Sequence, residues 1–397
     1  MTDATTAAAA AKPETRPANP RFSPGPTTKF PGWNISLLEG AAVGRSHRSK
    51  EGKARIEEVI TRSKAMLGIP ADWRLAIIAG SDTGAVECAL WNLFGARPAE
   101  ILVWENFGND WATDAVKELK IEARVTKAAY GDLPDLSKVD FTRDVCFTWN
   151  GTTSGVRAPN GDWIPDDREG LVLADATSAA FAMDLPWNKL DVVTWSWQKV
   201  LGGEAQHGMM AFGPRAAERI KTYTPTWPIP KIYRIRKGDG LNEGVFKGET
   251  LNTVSLLAVE DQLVAFDWAE SVGGLKGLIA RANANFNAFD RWIRQSHWAE
   301  WMAKDPATRS PTSLCFQIKD PVFLNLPDEE ARWEFVKKMT KLLEKENAAL
   351  DIGGYRSAPA SLRVWGGGTV ETADIEALTP WLDYAFAQAK AETLAAS

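Results

Sequence analysis

Between Leu171 and Gly213 the chain reads LVLADATSAAFAMDLPWNKLDVVTWSWQKVLGGEAQHGMMAFG, and three apolar runs within it, LVLADAT, DVVTWSW and GMMAFG, are each stopped by polar residues or glycine. Short apolar runs without alternation are the pattern of strands buried on both faces, as in the sheet of an α/β protein. The first run delivers Asp175 and the second leads to Lys199. Both then stand at the carboxyl edge of the sheet, where open α/β sheets bind ligands. Each residue alone has an ordinary explanation, since buried strands often end in aspartate and a lysine close to Gly-Gly suits a solvated turn.

Together they suit one cofactor. Pyridoxal phosphate bonds covalently to a lysine amine, and its ring nitrogen stays protonated against a buried carboxylate. Thr177, Ser178, Ser196 and Gln198 add hydroxyls and an amide beside the pair.

A chain of 397 residues can bury a large core and divide into two domains. Its net charge of -5 gives no general attraction to nucleic acid or to an anionic membrane. No apolar run approaches the roughly 18 residues of a membrane span. The opening MTDATTAAAAAKPETRPANP has neither a basic nor a Leu-rich signal segment, and residues 1–18 read as a disordered leader. Cys88, Cys146 and Cys315 are odd in number, widely spaced and in apolar surroundings, which fits buried thiols in a reducing cytoplasm. His47, His207 and His297 lack ligand spacing, so no metal site is expected.

Along the chain, residues 21–33 (RFSPGPTTKFPGW) are too rich in Pro and Gly for a helix. A helix is predicted over 50–67, stopped by Gly68 and Pro70. Strand RLAIIAG then runs through GSDTGA into helix AVECALWNLFG, a turn that offers free N–H groups, the hydroxyls of Ser81 and Thr83, and a favourable dipole to a phosphate. Ser-Asp-Thr before a helix is equally ordinary capping. Strand and loop ILVWENFG precede helix NDWATDAVKELK, where Trp111 or Trp104 could stack on a planar ring. Strand DVCFTWN ends in the polar loop Asn150–Thr153, and the alternation of strands with helices argues for a mostly parallel sheet. A long basic loop follows residue 223, a helix pair breaks at Gly273-Gly274, and the remainder reads as a smaller α+β domain with a final helix from Ala373.

FSPGP, SHRSK, the 24-residue spacing from the DAT aspartate to the SWQK lysine, LNT after a glycine loop, and NGTTSGV with GSDTGA occur in one order across nearly the whole chain. In that order the chain resembles the phosphoserine aminotransferase family, class V pyridoxal phosphate enzymes of fold type I. The resemblance implies a large domain with a mostly parallel seven-stranded sheet flanked by helices (36–268), a small C-terminal α+β domain (269–397), and a segment 19–35 that joins the small domain. It implies that Lys199 carries pyridoxal 5'-phosphate, Asp175 pairs with the pyridine nitrogen, Trp111 rather than Trp104 stacks on the ring, and Thr152 lies near the ring hydroxyl. Asp82 and Thr83, with Gln198 beside them, would hold the phosphate, and Asn252 and Thr253 would reach it from the second subunit of a homodimer.

For the substrates, L-glutamate and 3-phosphohydroxypyruvate, the resemblance assigns anion binding to His47, Arg48, Arg356 and Arg363, whose guanidinium forks suit carboxylate and phosphate. Without the resemblance, SHRSKEGK is also a solvated basic helix start. The family also acts on the phosphorylated precursor of pyridoxine. Three departures bear on the substrate phosphate: Pro24 where the family often has serine, Tyr355 where a histidine is frequent, and a spacing from Arg356 to Arg363 one residue longer. An alanine-glyoxylate type transaminase has less need of the arginines, a cysteine desulfurase needs a reactive cysteine that Cys315 in an apolar strand does not supply, and a non-catalytic descendant would have no need of both Lys199 and Asp175.

Overall fold

The computed structural model describes residues 11–396. Seven strands form the main sheet: β1 (Arg74–Ala79), β2 (Ala99–Val103), β3 (Ala123–Lys127), β4 (Asp144–Thr148), β5 (Val172–Asp175), β6 (Val192–Ser196) and β7 (His207–Phe212). Their spatial order is β1-β7-β6-β5-β4-β2-β3, parallel throughout except that β7 runs antiparallel to β1 and β6. The expected seven-stranded, mostly parallel sheet is therefore present, with β5 at its centre. Strand β7 reverses because residues 197–206 leave no room for a crossover helix, which a parallel connection needs.

The helices are α1 (Lys50–Leu67), α2 (Ser81–Leu93), α3 (Asn106–Thr113), α4 (Pro214–Thr222), α5 (Leu256–Ser271), α6 (Gly274–Gln295), α7 (Pro321–Leu324), α8 (Glu329–Lys345) and α9 (Thr372–Ala396). Strand side chains alternate between two cores. Leu75, Ile77, Val193 and Met209 pack with Ile56 and Val59 of α1 and Val259 and Phe266 of α5, while Ile78, Ile101, Leu173 and Met210 pack with Val86 and Leu90 of α2 and Ile220 of α4. Helix α1 has the predicted span because Ser49 caps it, accepting from Gly52 N–H, and Gly68 ends it in the left-handed conformation at φ 64°. The long basic loop holds a hairpin of β8 (Arg236–Lys237) and β9 (Gly240–Leu241).

Beyond Gly273, α6, α8 and α9 cover an antiparallel sheet of β10 (Ala299–Trp301), β11 (Ser313–Ile318) and β12 (Leu362–Trp365). The stripe Ile375, Leu378, Leu382 and Phe386 on α9 is buried. Of the leader expected to be disordered over 1–18, residues 1–10 lie outside the described residues. The rest corrects that expectation: Lys12 and Arg16 pair with Glu346, and Ala18 N–H donates to Asp374. The segment then crosses the molecule. Pro20 and Phe22 carbonyls accept from Leu350 and Trp365, and Thr27 N–H donates to Gln198.

Two buried carboxylates anchor the central strands at the end opposite the ligand edge. Asp144 of β4 accepts from Leu171 N–H and pairs with Arg219. Asp191, just before β6, accepts from Val172 N–H at the start of β5 and pairs with Arg168 and Arg215. Removing one partner of a buried pair strands the other charge. Asp191→Ala is therefore expected to destabilise the fold by about 3–5 kcal/mol in urea unfolding, and a change under about 1 kcal/mol would show that the pair is not anchoring β5.

Candidate active site

Strand β5 ends at Asp175, 3% exposed, whose oxygens accept from Trp111 Nε1 at 3.1 Å and from Thr177 N–H at 3.0 Å. On the neighbouring strand, β6 runs out at Ser196 into the turn that carries Gln198 and Lys199. Lys199, 8% exposed, donates from Nζ to the carbonyl of Pro24, and Thr27 Oγ1 donates to the carbonyl of Lys199 itself. A Cβ at residue 25 would lie 2.3 Å from the Lys199 amine, at a φ of +155°, so this crossing requires glycine.

From the far side of the sheet edge comes the turn into α2. Gly84 lets it close, since a Cβ there would sit 1.8 Å from the carbonyl of Ala79. As first-turn residues, Asp82 and Thr83 have no i−4 carbonyl for their N–H groups inside the helix. Helix α3 begins earlier than the sequence pattern indicates, at Asn106, because Glu105 caps it by accepting from Gly108 N–H at 2.9 Å. That shift brings Phe107 to the site alongside Trp111. Trp104, the competing tryptophan, is buried in the core and donates to Val156.

Two cavities meet at Lys199. The inner one, about 270 Å³, is lined by Asp82, Thr83, Trp111, Thr152, Asp175 and Gln198 as well as the lysine. The outer one, about 640 Å³, has Arg363, Tyr355, Phe107 and Pro24 in its wall. Arg363 belongs to the outer wall: its Nε donates to Gly353 and its guanidinium lies 5.4 Å from the Tyr355 ring centre. Around the inner cavity, buried polar atoms of Asp82 (Oδ1), Thr177, Ser196 and Gln198 have no hydrogen-bond partner among the described residues. Orphaned groups around a cavity with an amine at one end and a carboxylate at the other fit a polar planar ligand that satisfies them. Pyridoxal phosphate meets that description.

The buried charges shift one another. Burial, reinforced by the Arg363 guanidinium, lowers the Lys199 ammonium to about 8, against the opposing pull of Asp175 and Glu105. Burial raises the Glu105 carboxyl to about 7. Asp82 is pushed up by burial and then by the Asp175 carboxylate it faces. The Asp82 side chain thus faces Asp175, while its backbone N–H stands in the first turn of α2.

His47, Arg48, Asn252 and Thr253 line neither cavity. They share a separate patch, where Arg48 Nη2 donates to the Thr250 carbonyl at 2.8 Å and Thr250 Oγ1 donates to the Asn252 carbonyl. Arg356 is exposed and faces Asp110 of α3 rather than either cavity. Pro24, where the family often has serine, offers its carbonyl to the Lys199 amine. Nothing in the sequence marks Glu105 or Phe107, because glutamate is not a preferred cap and the helical pattern is plain only from Asn109 onward. All three cysteines are buried and free, and burial pushes the Cys315 thiol up to about 12, so no reactive thiol supports a desulfurase.

No protein-family model matches the chain. A phosphoserine aminotransferase of Methanosarcina mazei is 52% identical over 376 residues, covering 94% of this chain and 99% of its own. Among solved structures, a phosphoserine aminotransferase from Cytophaga hutchinsonii matches with a TM-score of 0.74 at 22% identity, covering 92% of this chain and 98% of that one. A PLP-bound phosphoserine aminotransferase from Trichomonas vaginalis matches with a TM-score of 0.72 at 19% identity, covering 92% and 99%. The two structures share the fold. The Methanosarcina relative, similar over nearly the full length of both chains, carries the stronger conclusion: this chain belongs to the phosphoserine aminotransferase family, pyridoxal-phosphate-dependent transaminases of fold type I.

Proposed function

We propose that the protein transfers an amino group reversibly from L-glutamate to 3-phosphohydroxypyruvate, giving O-phospho-L-serine and 2-oxoglutarate. The observation that carries this reading is the junction at Lys199 of a polar inner cavity with an outer one walled by Arg363, in a chain of this family. Pyridoxal phosphate, when bound, supplies an aldehyde carbon for the incoming amine and a ring that accepts the electron pair released at the substrate's Cα.

Every other part falls to the chain. Asp175 keeps a negative charge at the closed end, its orientation fixed by the Trp111 indole. The N–H groups of Asp82 and Thr83 at the start of α2 suit the phosphate. Lys199, lowered to about 8, holds a neutral amine in a useful fraction of molecules, and takes a proton from the substrate Cα and returns it on the other side of the transfer. To do so it leaves the Pro24 carbonyl. Arg363 presents its fork to the substrate carboxylate, with the Tyr355 ring behind it.

The same site is proposed to accept the phosphorylated precursor of pyridoxine. A homodimer supports the position of His47, Arg48, Asn252 and Thr253 outside the cavities: each copy would offer them to its partner's site. Ile35 and Val43, 70% and 61% exposed before that patch, and Leu257 after it give such a contact apolar area. Arg356 would complete the anion set once its substrate-side loop is engaged. We place the domain division near residue 269, at the end of α5, which packs on α1, and before α6, which packs on α9, with the 19–35 segment bridging the two, and the protein in the cytoplasm, where three free thiols are stable.

Turnover with glutamate and phosphohydroxypyruvate, followed as 2-oxoglutarate, is expected to exceed that with glyoxylate as acceptor, and Lys199→Ala to reduce it by about 10²–10⁴-fold. A preference for glyoxylate, or full turnover in the variant, would overturn the assignment. The Arg363 charge disfavours an ammonium at residue 199, so Arg363→Gln should move the midpoint of the pH-dependent rate of cofactor uptake by apoprotein upward from about 8, while raising KM for both substrates by roughly 10–100-fold. An unmoved midpoint would show that Arg363 does not reach the amine. Mixing inactive Lys199→Ala protein with inactive Arg48→Ala protein is expected to restore activity through hybrid dimers. If the mixture stays inactive while subunits exchange, the patch does not serve the partner.

A further inference from the structure

Asp82 and Asp175 are two carboxyls on the wall of one cavity. Asp82 is 6% exposed in the first turn of α2 and faces Asp175 at the end of β5. Both Asp175 oxygens already accept N–H donors, from Trp111 and Thr177, whereas Asp82 Oδ1 has no partner among the described residues. The surrounding charges do not rescue a second anion. The hydroxyls of Thr177 and Thr194 beside Asp82 favour its anion but are outweighed by burial and by Asp175, the Cys146 thiol of β4 is kept neutral by burial, and His207 at the start of β7 is held neutral likewise, lowered to about 4. Glu105 at the start of α3 faces Asp175 and adds negative charge. Lys199 lies across the cavity with its amine on the Pro24 carbonyl.

Two carboxylates buried together without a cation between them cannot both stay ionised. The N–H donors settle which one keeps its charge, since they favour the anion at Asp175. We propose that Asp82 is a positioning residue that shares a proton with Asp175: as a neutral acid it donates to that carboxylate, so the pair presents a single negative charge to the ring nitrogen of the cofactor. This rests on the pyridoxal phosphate reading of the cavity. It also explains how an acidic residue can stand in a turn meant for a phosphate, because a neutral Asp82 does not repel the anion bound at its own N–H. The hydrogen bond it gives would help hold the Asp175 carboxylate in place against the ring nitrogen.

Infrared difference spectra of apoprotein labelled with carbon-13 at aspartate test the proton directly. At about pH 9, where Asp114, raised to about 7 by burial, is ionised, wild-type protein should show the carbonyl stretch of a protonated aspartic acid, and Asp82→Asn should lose it. Absence of that band in wild type overturns the proposal without recourse to any variant. Cofactor affinity, read by quenching of tryptophan fluorescence, tests the donor role: Asp82→Ala, which removes the donor, should bind pyridoxal phosphate about tenfold more weakly than Asp82→Asn, which keeps one. Equal losses in the two variants overturn the donor role. A protonated band in a protein that does not bind pyridoxal phosphate would leave the shared proton standing and sink the cofactor reading instead.

Discussion

A carboxylate taken out of water in the middle of a sheet costs several kcal/mol unless donors and a counter-charge meet it, and Asp175 sits at the end of the central strand, buried. Much of the large domain can be understood as meeting that cost. The turn after β5 aims Thr177 N–H at one oxygen, and α3 is placed so that Trp111 donates to the other. Helix α3 in turn depends on Glu105 capping it and on Thr153 holding Glu105 through its hydroxyl at 2.7 Å. A ligand cation at the open side of Asp175 would complete the set.

Opposite it, the lysine is held by backbone. The segment carrying Pro24 and Gly25 comes from the chain's start, paired on the way with strands of the C-terminal unit, yet it supplies the carbonyl on which the Lys199 amine rests. Anchoring the amine there keeps it inside the cavity and aligned before any cofactor arrives. It also ties the C-terminal unit mechanically to the reactive amine, because Phe22 and Trp365 share a hydrogen bond a few residues from Pro24 and two from Arg363.

What could be read from the sequence was residue chemistry at strand ends. Asp175 and Lys199 stand out because an apolar run must stop, and an ionisable residue at its end is forced to the sheet edge. Strand β3, ARVTK, left no such mark, since a half-exposed edge strand needs no apolar run. Direction was hidden too. That Asp82 opens a helix was legible, but that its carboxyl turns to Asp175 depends on a strand far along the chain. Arg356 and Arg363 look equivalent in sequence, and only the pairing of β12 with β11 sends the second to the cavity and leaves the first beside Asp110. The Pro24 contact runs through a carbonyl, which residue type does not encode.

These placements give the cavity a polarity. Asp175, sharing one charge with Asp82 and with Glu105 behind it, makes the inner end negative, whereas Lys199 and Arg363 make the junction and the outer compartment positive. In a low-dielectric site such a gradient orients any ligand that carries both signs. A cationic ring edge is drawn inward, and the carboxylate and phosphate groups of an acceptor are held outward, away from the acids. Lys199 lies where the field changes sign, and the two ends act on it oppositely: Arg363 pushes its proton off while Asp175 and Glu105 retain it. Burial tips that balance toward the neutral amine. An anion entering beside Arg363 offsets the guanidinium's push, and burial is then what keeps the amine in the neutral form that can accept a proton.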